Sequence, residues 1–184
     1  MNFEIDYTVA LFIHNVFYSS QNFFTPIFKA ITSFGNHGLG FILIAVILLL
    51  FKRTRKLSIY LLVTLLFTYI TYKLLKVLIA RPRPYTNIDS DYYIWWTQTG
   101  SIVESDLSFP SGHSAISACF ATILFIKLNK KYSFLFFLIP LVIGFTRLYF
   151  NVHYFTDVLA GLFLGLICAI LISLILDKIL KKRL

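Results

Sequence analysis

The chain has 184 residues, of which 58% are hydrophobic and only 14% charged, with 20 phenylalanines and a formal net charge of +9. A soluble domain is about 45–50% apolar and about 25% charged, and one of this size leaves much of its surface in water. With a mean hydropathy of +0.79, the balance excludes an ordinary soluble domain, a disordered chain and a disulfide-stapled secreted domain, and it points to a polytopic membrane protein.

Residues 1–35 carry apolar stripes, Leu11, Phe12, Val16 and Phe17, then Phe23, Phe24, Ile27, Phe28 and Ile31, broken by polar residues and Pro26. This pattern predicts two short amphipathic helices lying at the membrane interface, with a sixth, weakly hydrophobic span as the alternative. Met1 to Asp6 is acidic and has no basic n-region of a signal peptide, so any spans are expected to stay in the mature protein.

Five apolar runs follow, judged against the roughly 20 residues that cross a hydrocarbon core of about 30 Å. The first is His37 to Phe51, closed by Lys52, Arg53, Arg55 and Lys56. The second, Leu57 to Ala80, must stop at Arg81-Pro82-Arg83-Pro84, because proline lacks the amide donor and restricts the residue before it. The third opens at Pro110-Ser111-Gly112 and runs to Ile126, followed by Lys127, Lys130 and Lys131. The fourth covers Tyr132 to about Tyr149, with a kink expected at Pro140. The fifth spans His153 to Leu176 and ends in Asp177, Lys178, Lys181, Lys182 and Arg183. The expected fold is therefore an all-α polytopic bundle of five to six transmembrane helices. It forms one domain over 1–184, with 1–35 as the amphipathic segment and 37–177 as the core. Cys119 and Cys168 both lie inside apolar runs and read as buried small side chains rather than a disulfide or metal pair.

A net +9 on a soluble protein would suggest a nucleic-acid partner; here the charge is sorted by topology and no such partner is expected. Eleven of the 17 basic residues follow runs one, three and five, and alternating spans place those clusters on one side. The positive-inside bias makes that side, and the C-terminus, cytoplasmic. The long connection Tyr85–Phe109, with Asp89, Asp91, Glu104 and Asp106, is then external.

Six basic residues remain, and all but Lys29 gather near the outer ends of runs two and four: Lys73, Lys76, Arg81, Arg83 and Arg147. Long basic side chains do snorkel to the interface, but His113, His153 and Asp157 fall at the same outer ends. Ionisable groups at that depth are costly and mark functional sites. His153 and Asp157 are spaced i,i+4, a shared face if both are helical. The carboxylate can then hold one imidazole N–H and leave the other nitrogen as nucleophile or base. A helix break near Asn151, a suitable N-cap, would let Arg147 converge on His153. Pro110-Ser111-Gly112-His113 opens a run, and a helix N-terminus offers free N–H groups to an anion. Gly112 permits close approach, Ser111 adds a hydroxyl and His113 can donate a proton. Cations, a helix N-terminus and two histidines at one external pocket suit a phosphate.

Lys76-x6-Arg83-Pro84, Pro110-Ser111-Gly112-His113 and Thr146-Arg147-x5-His153-x3-Asp157 together resemble the three-part signature of the type 2 phosphatidic acid phosphatase superfamily, from Lys76 to Asp157. Thr146 departs from the family's usual serine but keeps the hydroxyl. The resemblance implies a lipid phosphatase with no metal and no other cofactor, working through a phosphohistidine. His153 would attack phosphorus, oriented by Asp157, and His113 would protonate the leaving oxygen. Lys76, Arg83, Arg147, Ser111 and the Gly112 amide would hold the phosphoryl oxygens.

The expected partners are membrane lipids and a lipid phosphate substrate, met at the extracytoplasmic face of a plasma or inner membrane. An outward-facing site on a small version of the fold favours undecaprenyl diphosphate, ahead of phosphatidic acid or phosphatidylglycerophosphate. A small transporter or proton relay would need polar residues continuing toward the cytoplasmic ends of the spans, which turn apolar beyond Ser117 and Asp157. Haloperoxidase chemistry, which the same signature supports in soluble proteins, does not suit a membrane-embedded chain. Tyr92, Tyr93, Trp95 and Trp96 in the long connection read either as an interfacial aromatic belt or as a headgroup lid.

Overall fold

The computed structural model describes residues 3–128 and 131–181. Lys130, Lys182 and Arg183 of the expected cytoplasmic clusters lie outside the described residues. Eight α-helices are present and no strand is found among the described residues: α1 (Glu4–Phe17), α2 (Gln21–Phe34), α3 (Leu39–Leu50), α4 (Arg55–Ile79), α5 (Asp91–Gln98), α6 (Gly112–Leu128), α7 (Leu138–Tyr149) and α8 (Phe155–Lys181).

The central element is α6, whose residues from Ser114 to Leu124 are all buried. Its main partner is α8, and glycine sets their separation. A Cβ at Gly161 would come within 2.5 Å of the Ser111 carbonyl, and one at Gly165 would collide with the Ala115 carbonyl. Gly161 and Gly165 form a GxxxG pair, which lets apolar helices approach backbone to backbone where lipid offers no hydrophobic drive. Phe41, Leu61, Leu65, Ile116, Phe120 and Ile123 pack α3, α4 and α6 into one core.

By length and composition, two segments among the described residues can each cross a membrane, Arg55–Thr86 and Phe155–Ile179. A third is available if Glu4–Phe34 and Leu39–Leu50, bent by 48°, make one span. The helices Gly112–Leu128 and Ser133–Tyr149 are apolar but shorter. The expectation of five to six full spans is thus met only in part, and α6 shows why. At 17 residues it is about 26 Å long, and its neighbours shield it so fully that it carries Ser114, Ser117 and Thr122.

Residues 4–34 form the two helices expected there, and these pack onto the bundle. Ile13 lies in a cluster with Tyr149, Phe150 and Val152, and Thr25 Oγ1 is 2.7 Å from the Tyr149 hydroxyl. Pro140 does not kink a helix. The fourth run begins as a 3-10 turn, Ser133–Phe137, and Pro140 sits in the first turn of α7, where its missing N–H has no intrahelical partner to lose.

The charged clusters converge at the end of the bundle away from His153. Arg53, Lys56, Tyr60, Lys127 and Asp177 line one recess, and Lys127 Nζ lies 2.8 Å from Asp177. Cys119 and Cys168 are both free thiols.

Candidate active site

Two helix ends set the positions of the cations. α4 stops at Ala80, which takes a left-handed φ of 51°, and the prolines that follow carry Arg81 and Arg83 back across the end of the bundle. α7 ends in a Schellman motif. Val152 N–H donates to the Arg147 carbonyl at 3.3 Å and Asn151 N–H to the Leu148 carbonyl at 2.9 Å, with Asn151 left-handed at φ 51°. Asn151 therefore closes α7 and does not cap α8 as expected. The tight reversal brings His153 back beside Arg147.

His153 lies before α8, so its pairing with Asp157 is not the same-face helical contact expected from i,i+4. Asp157 is the third residue of α8, and its Oδ2 accepts the Tyr154 N–H at 2.9 Å, half of a capping box. From there Oδ2 accepts the Ser108 hydroxyl at 2.5 Å and stands 3.5 Å from His153 Nδ1. Ser108 Oγ is also 3.5 Å from Nδ1. On the other side of the ring, Arg83 Nη1 donates to His153 Nε2 at 3.0 Å. A guanidinium can only donate, so Nε2 carries the lone pair and Nδ1 the proton. Burial, then the charges of Arg83, Lys76 and Arg147, push the His153 imidazole well below its ordinary pKa. In that state Nε2 has a lone pair that can act as nucleophile or base.

A cavity of about 40 Å³ adjoins this ring, lined among others by Lys76, Arg83, Gly112, His113, His153 and Asp106. His113, in the first turn of α6, has its Nε2 3.1 Å from Asn36 Oδ1. Ser111, Arg147 and Asp157 do not line the cavity. The Ser111 hydroxyl instead caps α6, accepting from Ser114 N–H at 3.4 Å and Ser114 Oγ at 3.0 Å. Arg147 is fully buried and donates to Thr32 Oγ1 at 2.6 Å and to Glu104.

Several residues with no assigned role in the sequence reading are built into the site. Arg81 Nη1 donates to Asp157 Oδ1 at 2.6 Å and its Nη2 to Asp6 Oδ2 at 2.7 Å. The guanidinium lies 3.8 Å from the centre of the Tyr154 ring. Asp6, on α1, also accepts the Thr156 N–H at 2.8 Å. A buried chain Asp6–Arg81–Asp157 thus runs behind His153. Its arginine was visible in sequence as a base at the wrong end of a span, whereas Asp6 carried no signal beyond its charge. On the opposite side, Asp106 pairs with Lys73 at 2.8 Å, Arg83 at 2.6 Å and Lys76 at 3.4 Å. Burial pushes the Asp106 carboxyl up, but the Lys73 hydrogen bond and the Lys76 and Arg83 charges outweigh it and hold the group well below the usual carboxylate range.

The aromatic residues of the long connection pack behind the site and do not line its cavity. Tyr92 and Trp95 are buried with Ala10 and Tyr154, and Trp96 stacks on Tyr85 at 4.7 Å.

The model of the PAP2 superfamily matches residues 57–181. The chain belongs to that superfamily. This PAP2 chain is 30% identical over 122 residues, 66% of its length, to an undecaprenyl-diphosphatase of Sulfolobus acidocaldarius, covering 56% of that protein. It is 36% identical over 90 residues to phosphatidylglycerophosphatase B of Bacillus subtilis, 44% of each chain. It therefore spans about half the length of these curated relatives. The crystal structure of a transmembrane PAP2-type phosphatidylglycerolphosphate phosphatase from Bacillus subtilis superposes with a TM-score of 0.73 at 26% identity, over 95% of this chain and 85% of that one. That of Aquifex aeolicus LpxE has a TM-score of 0.71 at 21% identity, over 94% and 96%, and shares the fold.

Proposed function

We propose that this PAP2 protein is an integral membrane phosphatase that hydrolyses a lipid phosphate or diphosphate through a phosphohistidine on His153. The observation that carries this reading is the His153 ring itself: Nε2 is unprotonated beside Arg83, and Nδ1 is backed by Ser108 and Asp157. Nε2 attacks phosphorus while the phosphorus–oxygen bond to the lipid breaks, and His113 gives the departing oxygen its proton. Asp157 and Ser108 stabilise the charge gained by the imidazole. Water, giving a proton to His113, then attacks phosphorus and breaks the phosphorus–nitrogen bond, releasing inorganic phosphate and restoring both histidines. Lys76 and Arg83, and Arg147 behind them, offset the charge on the phosphoryl oxygens, a task that asks for no metal.

Undecaprenyl diphosphate is the leading substrate, supported by the name of the Sulfolobus relative. Phosphatidylglycerophosphate is the second reading, favoured by the Bacillus relative and the similar crystal structure. The site is assigned to the extracytoplasmic face and the C-terminus to the cytoplasm, because the basic clusters gather at the other end of the bundle.

Purified protein in detergent should release phosphate from these lipids, with kcat/KM ranking the substrates. His153→Ala should lower kcat about 10,000-fold or more while the protein stays folded, and near-normal turnover would overturn the mechanism. A cysteine placed at Asn87 should react with reagents that cannot cross the membrane; labelling by permeant reagents alone would reverse the orientation.

A further inference from the structure

Four cations surround the site, and each is held by a carboxylate from one short stretch between α5 and α6. Asp106 takes Lys73, Lys76 and Arg83, and Glu104 takes Arg147. Lys76, Arg83 and Arg147 form the deep wall, with side-chain exposures of 4%, 4% and 0%, while Lys73, at 37%, stands at the mouth. The carboxylates come from the mouth, at 28% for Asp106 and 21% for Glu104. The cavity beside them is lined by Lys73, Lys76, Arg83, Glu104 and Asp106, so a group entering it meets these cations with their carboxylate partners already in place. A phosphoryl group that reaches His153 and these cations must therefore take them over from the carboxylates.

The backbone of the stretch is held, Glu104 N–H donating to the Tyr85 hydroxyl at 3.1 Å and the Asp106 carbonyl accepting from Arg83 Nε at 2.9 Å, so yielding falls to the two carboxylate side chains. Residues 101–108 have no helix or strand. One flank is pinned by Trp96 Nε1–H to the Ile102 carbonyl at 2.8 Å. The other is pinned by Ser108 N–H to the Arg81 carbonyl at 2.9 Å.

We propose that Glu104 and Asp106 are specificity-determining residues, which set a charge threshold for the headgroup by competing with it for Lys73, Lys76, Arg83 and Arg147. This rests on the phosphatase reading above and deepens it. Displacing two carboxylates leaves buried cations unpaired unless the incoming group returns as much charge. A phosphomonoester dianion does so and a diphosphate does more, whereas a phosphodiester, with a single negative charge, does not. The site thereby admits terminal phosphates and rejects the diester headgroups that fill the surrounding bilayer.

Methyl phosphate and dimethyl phosphate test this without the lipid, read as ligand-dependent shifts in melting temperature and as inhibition of turnover. Wild-type protein should bind methyl phosphate and show no measurable affinity for dimethyl phosphate. In Glu104→Gln and Asp106→Asn, methyl phosphate should bind at least about tenfold tighter, and dimethyl phosphate should become a measurable competitor. Unchanged or weaker methyl phosphate binding in the variants would overturn the proposal, because the carboxylates would then only be shaping the cationic wall. If Asp106→Asn fails to fold, Glu104→Gln carries the test alone. Failure to hydrolyse any lipid phosphate would remove the enzyme reading, while the binding titrations would still decide the displacement.

Discussion

The two ends of this helix bundle use the same chemistry to different effect. At one end Lys127 pairs with Asp177, whose side chain is 40% exposed and which also accepts the Tyr60 hydroxyl at 2.5 Å. At the other, Arg81 is clamped between Asp6 and Asp157, both fully buried. The first pair joins α4, α6 and α8 where water and headgroups screen it, so it contributes little to stability. The second is desolvated, and an ion pair there gains little over apolar packing while being costly to break. A chain with so few charged residues that buries this many of them at one end is maintaining a site, because stability alone does not ask for it.

Three substitutions sharpen that contrast, from the largest effect to the smallest. Asp157→Asn should lower kcat about 1,000-fold, because Oδ2 no longer supports Ser108 and the Nδ1 proton; full turnover would show that Asp157 only caps α8. Asp6→Asn leaves every group that lines the cavity in place but loosens Arg81 and, through it, Asp157. It should lower kcat about tenfold with KM nearly unchanged and lower stability by about 2–3 kcal/mol. A loss of stability with kcat intact would make α1 a strut rather than a positioning element. Lys127→Met should cost under about 1 kcal/mol in denaturant titration and leave turnover unaltered, and a large loss at this end would remove the distinction between the two.

Much of the site was legible along the chain because a membrane makes charge conspicuous. Lys76, Arg83, His113, Arg147, His153 and Asp157 stand out against apolar runs, and their spacing carries the family signature. What escaped were partners far apart in sequence. Asp6 meets Thr156 across 150 residues, and Ser108 meets Asp157 across 49; neither pairing has a local pattern. Local pattern also misled where capping decides the outcome. Asn151 was a plausible N-cap, yet its place after α7 made it the left-handed residue that ends a helix. The i,i+4 spacing of His153 and Asp157 gives one shared face only if both are helical, and the break that reverses the chain leaves His153 ahead of α8.

By itself, then, the amino-acid order determined that this chain is helical and apolar enough for a bilayer, that Arg81-Pro82-Arg83-Pro84 ends α4, and which residues match the family signature. Hydropathy, proline and short-range capping are local properties, readable without knowing what packs on what. Only the tertiary structure decided which carboxylate answers which cation. That depends on the close approach of α6 and α8 at Gly161 and Gly165, on α1 folding over the end of α4, and on residues 104–106 reaching into the cationic wall. Charge pairing in a low-dielectric interior is settled by distances of a few ångströms, which only the packed helices set.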